Sequence, residues 1–154
     1  MQRLSLDSAV VDQLLGATES AAIAASALVG SGDKLAVDGA AVRAMWGEFE
    51  RSEVNATVVV GEGEKDRAPM LFAGERLGTG EGQALDIAVD PVDGTRLAAE
   101  NLPGSVAVLS AAASGAFVDP GPVFYLEKLV CACAGRTLSL DQPLGEIIRA
   151  LADA

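Results

Sequence analysis

The segment ALDIAVDPVDGTRLAAEN, residues 84–101, decides how the rest of the chain is interpreted. Residues 85–89 form a short, almost continuous apolar run, which is typical of a strand that is covered on both faces. We expect Asp90-Pro91 to end this strand and Gly94-Thr95 to open a short helix over residues 95–101. The segment thus predicts a strand, an acidic loop and a helix N-terminus in succession. Layered α/β sheets bind their ligands beyond the carboxyl ends of such strands.

A second predicted strand also runs into an acidic loop. The stretch ATVVVGEGEKDRAPM, residues 56–70, places three carboxylates directly after its apolar run: Glu62, Glu64 and Asp66. If the two strands are parallel neighbours, these side chains converge with Asp90 and Asp93. Converging carboxylates repel one another at neutral pH unless a cation lies between them. The two loops together therefore predict a site for a divalent cation, although either loop taken alone is more simply explained as solvated charge.

The remaining elements complete a layered domain. They are predicted as a helix over 7–29 capped by Asp7, a turn at 31–34, a helix over 38–51, a short strand near 70–73, a strand over 104–113, one or two strands within 116–134, and a helix over 143–154. Asp38 is expected at the N-cap or in the first turn of the second helix. This order predicts an α/β fold, a layered α+β sandwich in which N-terminal helices pack on a mixed sheet, as one domain over residues 1–154.

Charge and composition exclude several classes of function. The 154 residues carry 22 acidic and 11 basic side chains, a net charge of −11, which argues against nucleic acid and anionic membranes as partners. The sequence contains no histidine, so Ser-His-Asp catalysis and imidazole ligation of zinc are excluded. Any metal site must be built mainly from oxygen, which favours Mg²⁺, Mn²⁺ or Ca²⁺. The N-terminus is too polar for a signal peptide, and we expect a cytoplasmic protein.

The loop D-P-V-D-G-T, residues 90–95, adds a predicted anion site to the predicted cation site. Its glycine allows the backbone to approach a ligand closely, and the first amides of the following helix can bind a phosphate. Carboxylates for metal beside amides for phosphate describe metal-assisted hydrolysis of a phosphate ester. A D-P-x-D-G-T loop after an apolar strand resembles the lithium-sensitive, metal-dependent sugar and inositol phosphatases.

Six segments in order narrow the resemblance to class II fructose-1,6-bisphosphatase of the bacterial type. They are ATESAA, GDKLAVDGAAVRAM, VVVGEGEKDRAPML, GERLGTGEG, LDIAVDPVDGT and VFYLEKL, and the likeness runs from about residue 14 to the C-terminus. The resemblance implies hydrolysis of the 1-phosphate of fructose 1,6-bisphosphate to fructose 6-phosphate in gluconeogenesis, with Mn²⁺ or Mg²⁺ as cofactor.

The resemblance also implies a role for individual residues. It assigns metal binding to Asp38, Glu62, Asp90 and Asp93, activation of water to Asp66, with help from Thr95, and substrate contacts to Asp93, Gly94, Thr95 and Tyr125. Two of these assignments have simple structural alternatives. Asp38 could serve only as a helix cap, and Tyr125 could pack in the core.

Members of that family are considerably longer than this chain, which resembles their N-terminal half. We therefore expect the chain to form a homo-oligomer or to pair with a C-terminal half, because strands meant to be covered would otherwise be left open. Two alternatives to fructose-bisphosphatase remain open at this point. One is a phosphatase for another sugar phosphate or an inositol phosphate, and the other is a non-catalytic remnant that binds metal or phosphate.

Overall fold

The structure, a computed structural model, describes residues 6–62, 70–118, 121, 123, 126–130 and 138–152. The chain divides into two compact units, Met1–Asp119 and Pro120–Ala154. Within its described residues, the first unit holds three helices and four strands: α1 Ser8–Ser26, α2 Lys34–Glu50, β1 Asn55–Val60, β2 Arg76–Leu77, β3 Ala84–Asp93, α3 Thr95–Ala99 and β4 Val106–Ala113. The second unit holds α4, Leu144–Ala152. That residues 1–154 form a single domain stays a prediction.

The four strands form one mixed sheet in the order β2-β1-β3-β4. The two central strands, β1 and β3, run parallel, while β2 pairs with β1 and β4 pairs with β3 in antiparallel fashion. Helices α1 and α2 pack on this sheet and against each other. The predicted fold class, N-terminal helices on a mixed sheet, is confirmed.

The core lies between one face of the sheet and the two long helices. Register pairs Val58 with Ile87 and Val89 with Leu109, so these side chains share the face toward the helices. The two helices bury mainly small residues and a few large ones: Leu14, Ala17, Ala21, Ala25, Val37, Ala41, Val42, Met45 and Phe49. Alanines allow the helix backbones to approach closely, and burial of a side chain such as Phe49 stabilises the fold by about 1.5–3 kcal/mol.

Helix α2 begins earlier than the sequence predicts. Its N-cap is Asp33, whose carboxylate accepts a hydrogen bond from the N–H of Ala36 at 3.0 Å. Asp38 lies one turn further along, inside the helix and half-buried. The interpretation of Asp38 as a helix cap is therefore wrong, because the preceding residues already continue the helix from Asp33.

Strand β3 also departs from its predicted end. Asp90-Pro91 does not stop it; the strand continues to Asp93, with a register shift between Asp90 and Asp93 in its pairing to β4. A proline cannot donate to a strand ladder, and an irregularity of this kind is where a sheet tolerates one. Pro91 is fully buried there.

Of two further strand predictions, one is wrong and the other lies partly outside the described residues. The short strand expected near 70–73 lies instead at β2, because Leu71 has a φ of 58°, outside the extended region. The described parts of 116–134, residues 116–118, 121, 123 and 126–130, contain no strand.

The predicted C-terminal helix is confirmed as α4, which follows Pro143. Glu146 in its first turn and Arg149 in its last turn match the sign of the helix dipole at each end. Within the described ranges, no helix combines the length and apolar character needed to cross a bilayer.

Candidate metal and phosphate site

The carboxyl ends of β1 and β3 lie side by side. The parallel register pairs Val60 with Ala88, so Glu62 and Asp90 each lie two residues beyond this pair. This confirms the predicted premise that the two strands are parallel neighbours. The acidic residues that follow β1 and those that end β3 are distant in the sequence but therefore lie at the same end of the sheet.

Glu62 is held at the end of β1 through its backbone. Its N–H donates to the carbonyl oxygen of Leu71 at 2.9 Å. Gly61 lies so close beneath this contact that a Cβ would collide with the Leu71 carbonyl and the Val58 side chain. Leu71 is fully buried in a left-handed conformation that costs about 1–2 kcal/mol. The first glycine of GEGE thus permits the backbone approach that fixes the position of Glu62.

Three side-chain hydrogen bonds fix the turn between β3 and α3. Asp90 Oδ1 accepts from the N–H of Val92 at 3.1 Å, and Thr95 Oγ1 donates to the Val92 carbonyl at 3.0 Å. Ser105 Oγ, at the start of β4, donates to the Asp93 carbonyl at 3.0 Å. These hydrogen bonds hold the turn from both of its flanks without a ligand.

Gly94 is the N-cap of α3 and has a φ of 78°, a conformation that favours glycine. Among the residues that the structure describes, no side chain caps this helix. The N–H groups of Leu97 and Ala98 donate to the Gly94 carbonyl at 2.8 and 3.2 Å, so a phosphate contact from this turn would come from the N–H groups of Thr95 and Arg96. Gly94 and Thr95 are both half-buried.

The pKa of Asp90 responds to two other carboxylates, those of Asp93 and Asp38. Burial raises the pKa of Asp90 above its ordinary value of 3.8, and the carboxylate of Asp93 raises it further. The N–H of Val92 lowers the pKa, and the carboxylate of Asp38, on α2, raises it. Asp38, Asp90 and Asp93 thus form a region of negative charge, which a cation would neutralise.

The donor chemistry of this region fits a hard divalent cation, since carboxylate oxygens are the ligands that Mg²⁺ and Mn²⁺ prefer. Within the part of the chain that the structure describes, however, no three acidic side chains are arranged to hold a metal. Asp66 and Tyr125 lie outside the described residues. The assignment of metal, catalytic and substrate roles to individual residues therefore stays a prediction.

Sequence reasoning missed two acidic residues and one serine whose side chains make hydrogen bonds across the fold. Asp86 is buried within β3 and accepts from the N–H of Gly115 at 2.7 Å. Glu75 joins α2 to the segment that follows β1, and Ser105 supports the β3–α3 turn. Asp86 was detectable as a lone charge inside an apolar strand, whereas the other two contacts depend on tertiary packing.

Comparison with known proteins places these features in a family. A family profile described as bacterial fructose-1,6-bisphosphatase, glpX-encoded, matches residues 8–154. The fructose-1,6-bisphosphatase 1 class 2 of Escherichia coli (strain K12) is 45% identical over 138 residues, which cover 89% of this chain and 41% of that protein. The class 2 fructose-1,6-bisphosphatases of Escherichia coli O6:H1 and Shigella flexneri match with the same identity, 45%, and the same coverage. The chain spans about two fifths of the length of these relatives.

Proposed function

Because the chain belongs to the glpX-encoded bacterial fructose-1,6-bisphosphatase family, we propose that it supplies the metal-binding and phosphate-binding part of a phosphatase active site. The reaction is hydrolysis of the 1-phosphate of fructose 1,6-bisphosphate, which gives fructose 6-phosphate and phosphate. This is a step of gluconeogenesis, and we place the protein in the cytoplasm.

One observation carries the proposal: β1 and β3 are adjacent and parallel, so that Glu62, just after β1, and Asp90, near the end of β3, lie at the same end of the sheet. The influence of Asp38 and Asp93 on the pKa of Asp90 supports the same grouping. We assign Asp38, Glu62, Asp90 and Asp93 to the binding of Mn²⁺ or Mg²⁺. A bound divalent cation would supply positive charge to the phosphoryl group and would lower the pKa of the attacking water.

The β3–α3 turn is assigned to the phosphate. Gly94 lets the backbone approach the phosphoryl oxygens, and the first amides of α3 donate to them. The Thr95 hydroxyl donates to the Val92 carbonyl and can at the same time accept a hydrogen bond from water. We assign it to orienting the water, together with Asp66 as the acid that helps to activate it. Asp93 and Tyr125 are assigned to contacts with the sugar bisphosphate.

The proposal includes a partner for the sheet. Among the described strands, β4 is an outer strand without a charged residue, and its Val106 and Val108 are 53% and 44% exposed. Outer strands with this character pair with further chains unless they are covered. We propose that the chain forms a homo-oligomer or pairs with a C-terminal half. Light scattering tests this, and a clean monomer with a sharp thermal transition would contradict it.

Phosphate release and metal binding test the function. The purified chain is assayed with fructose 1,6-bisphosphate and with inositol 1-phosphate in the presence of Mn²⁺, and Mn²⁺ binding is measured by calorimetry. We expect Mn²⁺ binding and a preference for the sugar bisphosphate. Turnover of inositol 1-phosphate alone would favour a related phosphatase, and binding without any turnover would favour a non-catalytic role. Failure to bind Mn²⁺ would refute the proposed site.

A further inference from the structure

The carboxylate of Glu75 connects helix α2 to the segment that follows β1. Its Oε1 accepts a hydrogen bond from the indole Nε1–H of Trp46 at 3.0 Å, and its Oε2 accepts one from the N–H of Phe72 at 3.3 Å. The contact with Trp46 joins distant parts of the chain and is partly buried, whereas the contact with Phe72 closes a turn. One carboxylate therefore ties a helix to a loop with both of its oxygens.

The loop held by Glu75 is the one that holds Glu62. Residues 72–75 form a turn in which the Glu75 N–H donates to the Phe72 carbonyl at 3.0 Å. This turn is pinned to β1 at Val58, whose N–H donates to the Glu75 carbonyl at 2.9 Å and whose carbonyl accepts from Gly74 at 2.7 Å. Immediately before the turn, the Leu71 carbonyl accepts the N–H of Glu62.

Helix α2 supplies the other end of the connection. Asp38 and Trp46 are both on α2, about two turns apart. The hydrogen bond from Trp46 to Glu75 thus links the helix that bears Asp38 to the loop that positions Glu62. Two acids assigned to the same cation are coupled through this one carboxylate.

We propose that Glu75 is a positioning residue, which holds the backbone of Glu62 against Leu71 and thereby sets the affinity of the site for a divalent cation. The inference rests on the proposed function for its metal-binding half only. Groups that orient metal ligands without touching the metal commonly change metal affinity when they are replaced.

The test compares Glu75→Gln with the unsubstituted chain by two measurements. Glutamine keeps the size of the side chain but presents a donor to either Trp46 or Phe72, where the carboxylate presents an acceptor to both. Amide hydrogen exchange of the metal-free protein is expected to show faster exchange at Glu62, with exchange at Ile87 unchanged. Calorimetry is expected to show Mn²⁺ affinity weakened by about 10-fold to 100-fold.

Two further variants separate positioning from general damage. Trp46→Phe removes the indole donor while keeping an aromatic ring, and a smaller shift in the same direction is expected. Glu81→Gln removes the same charge from an exposed residue of the following loop and should leave both measurements unchanged.

The outcomes distinguish the inference from the proposed function. Unchanged exchange at Glu62 in Glu75→Gln overturns the inference whether or not metal binds. Equal Mn²⁺ affinity in Glu75→Gln and the unsubstituted chain also overturns it, while leaving the proposed function intact. An unsubstituted chain that binds no Mn²⁺ contradicts the proposed function and with it the metal-binding half of the inference.

Discussion

Replacement of Gly61 by alanine is the sharpest test of how Glu62 is held. The added Cβ would overlap the Leu71 carbonyl oxygen, so either the end of β1 or the buried Leu71 must move. Gly61 is not among the glycines with a positive φ, so the cost comes from crowding and not from an unfavourable backbone torsion.

The expected magnitude follows from three contributions. Overpacking in a close-packed region costs about 1–3 kcal/mol. Displacing Leu71 also weakens the hydrogen bond from Glu62, which is worth about 1 kcal/mol. Alanine reduces the conformational freedom of the unfolded chain, which returns about 0.4–1 kcal/mol. We expect Gly61→Ala to lower the free energy of unfolding by about 2 kcal/mol or slightly more.

Urea unfolding measures this change. With a slope of about 1–3 kcal/mol per molar for a small domain, the midpoint should fall by roughly 1 M. Gly16→Ala is the matched control, because Gly16 lies within α1 and its added Cβ would meet the Glu48 side chain at an ordinary contact distance, 3.8 Å. That variant should gain about 0.5–1 kcal/mol. An unchanged midpoint for Gly61→Ala would refute the close approach of residue 61 to Leu71.

Three more predictions concern Asp90 and two residues that the sequence did not single out, Asp86 and Ser105. Asp90→Asn should abolish phosphate release without loss of stability. The pKa of Asp90 is raised in the folded protein, so in EDTA the unsubstituted chain should lose stability relative to Asp90→Asn as pH rises above 3.8. Urea titrations measure the unfolding free energy of both chains, and equal pH profiles would contradict this. Asp86→Ala should lower the unfolding free energy by about 1–3 kcal/mol, since the N–H of Gly115 loses its acceptor, and thermal unfolding measures it. Ser105→Ala should weaken Mn²⁺ binding in calorimetry several-fold by freeing the Asp93 carbonyl, and unaltered affinity would show that the turn does not need this support.

The elements that follow from short-range patterns were predictable from the sequence. Asp7 caps α1 as expected, with its carboxylate accepting from the N–H of Ala9 at 3.0 Å. The apolar runs of β1 and β3 and the opening of α3 at Thr95 are also where the sequence placed them. Each of these signals depends on a few adjacent residues, which is why local reasoning found it.

What the sequence could not predict depends on packing at a distance. An apolar stretch begins within two residues of both Asp33 and Asp38, and nothing local decides which of them caps α2. Leu71 is completely buried in a left-handed conformation, and no turn motif in the sequence indicates this conformation. Tertiary contacts likewise carry β3 through Pro91 and bring Glu75 to Trp46.

The parallel pairing of β1 with β3 means that the candidate site comes into being only as the chain folds. The 61–83 connection separates the two strands, so the unfolded chain has no means of bringing their acidic ends together. A cation bound across those ends would select the folded state, adding about 2.7 kcal/mol at a hundredfold excess over its dissociation constant. Divalent cations in the cell would then stabilise the folded form of this sheet.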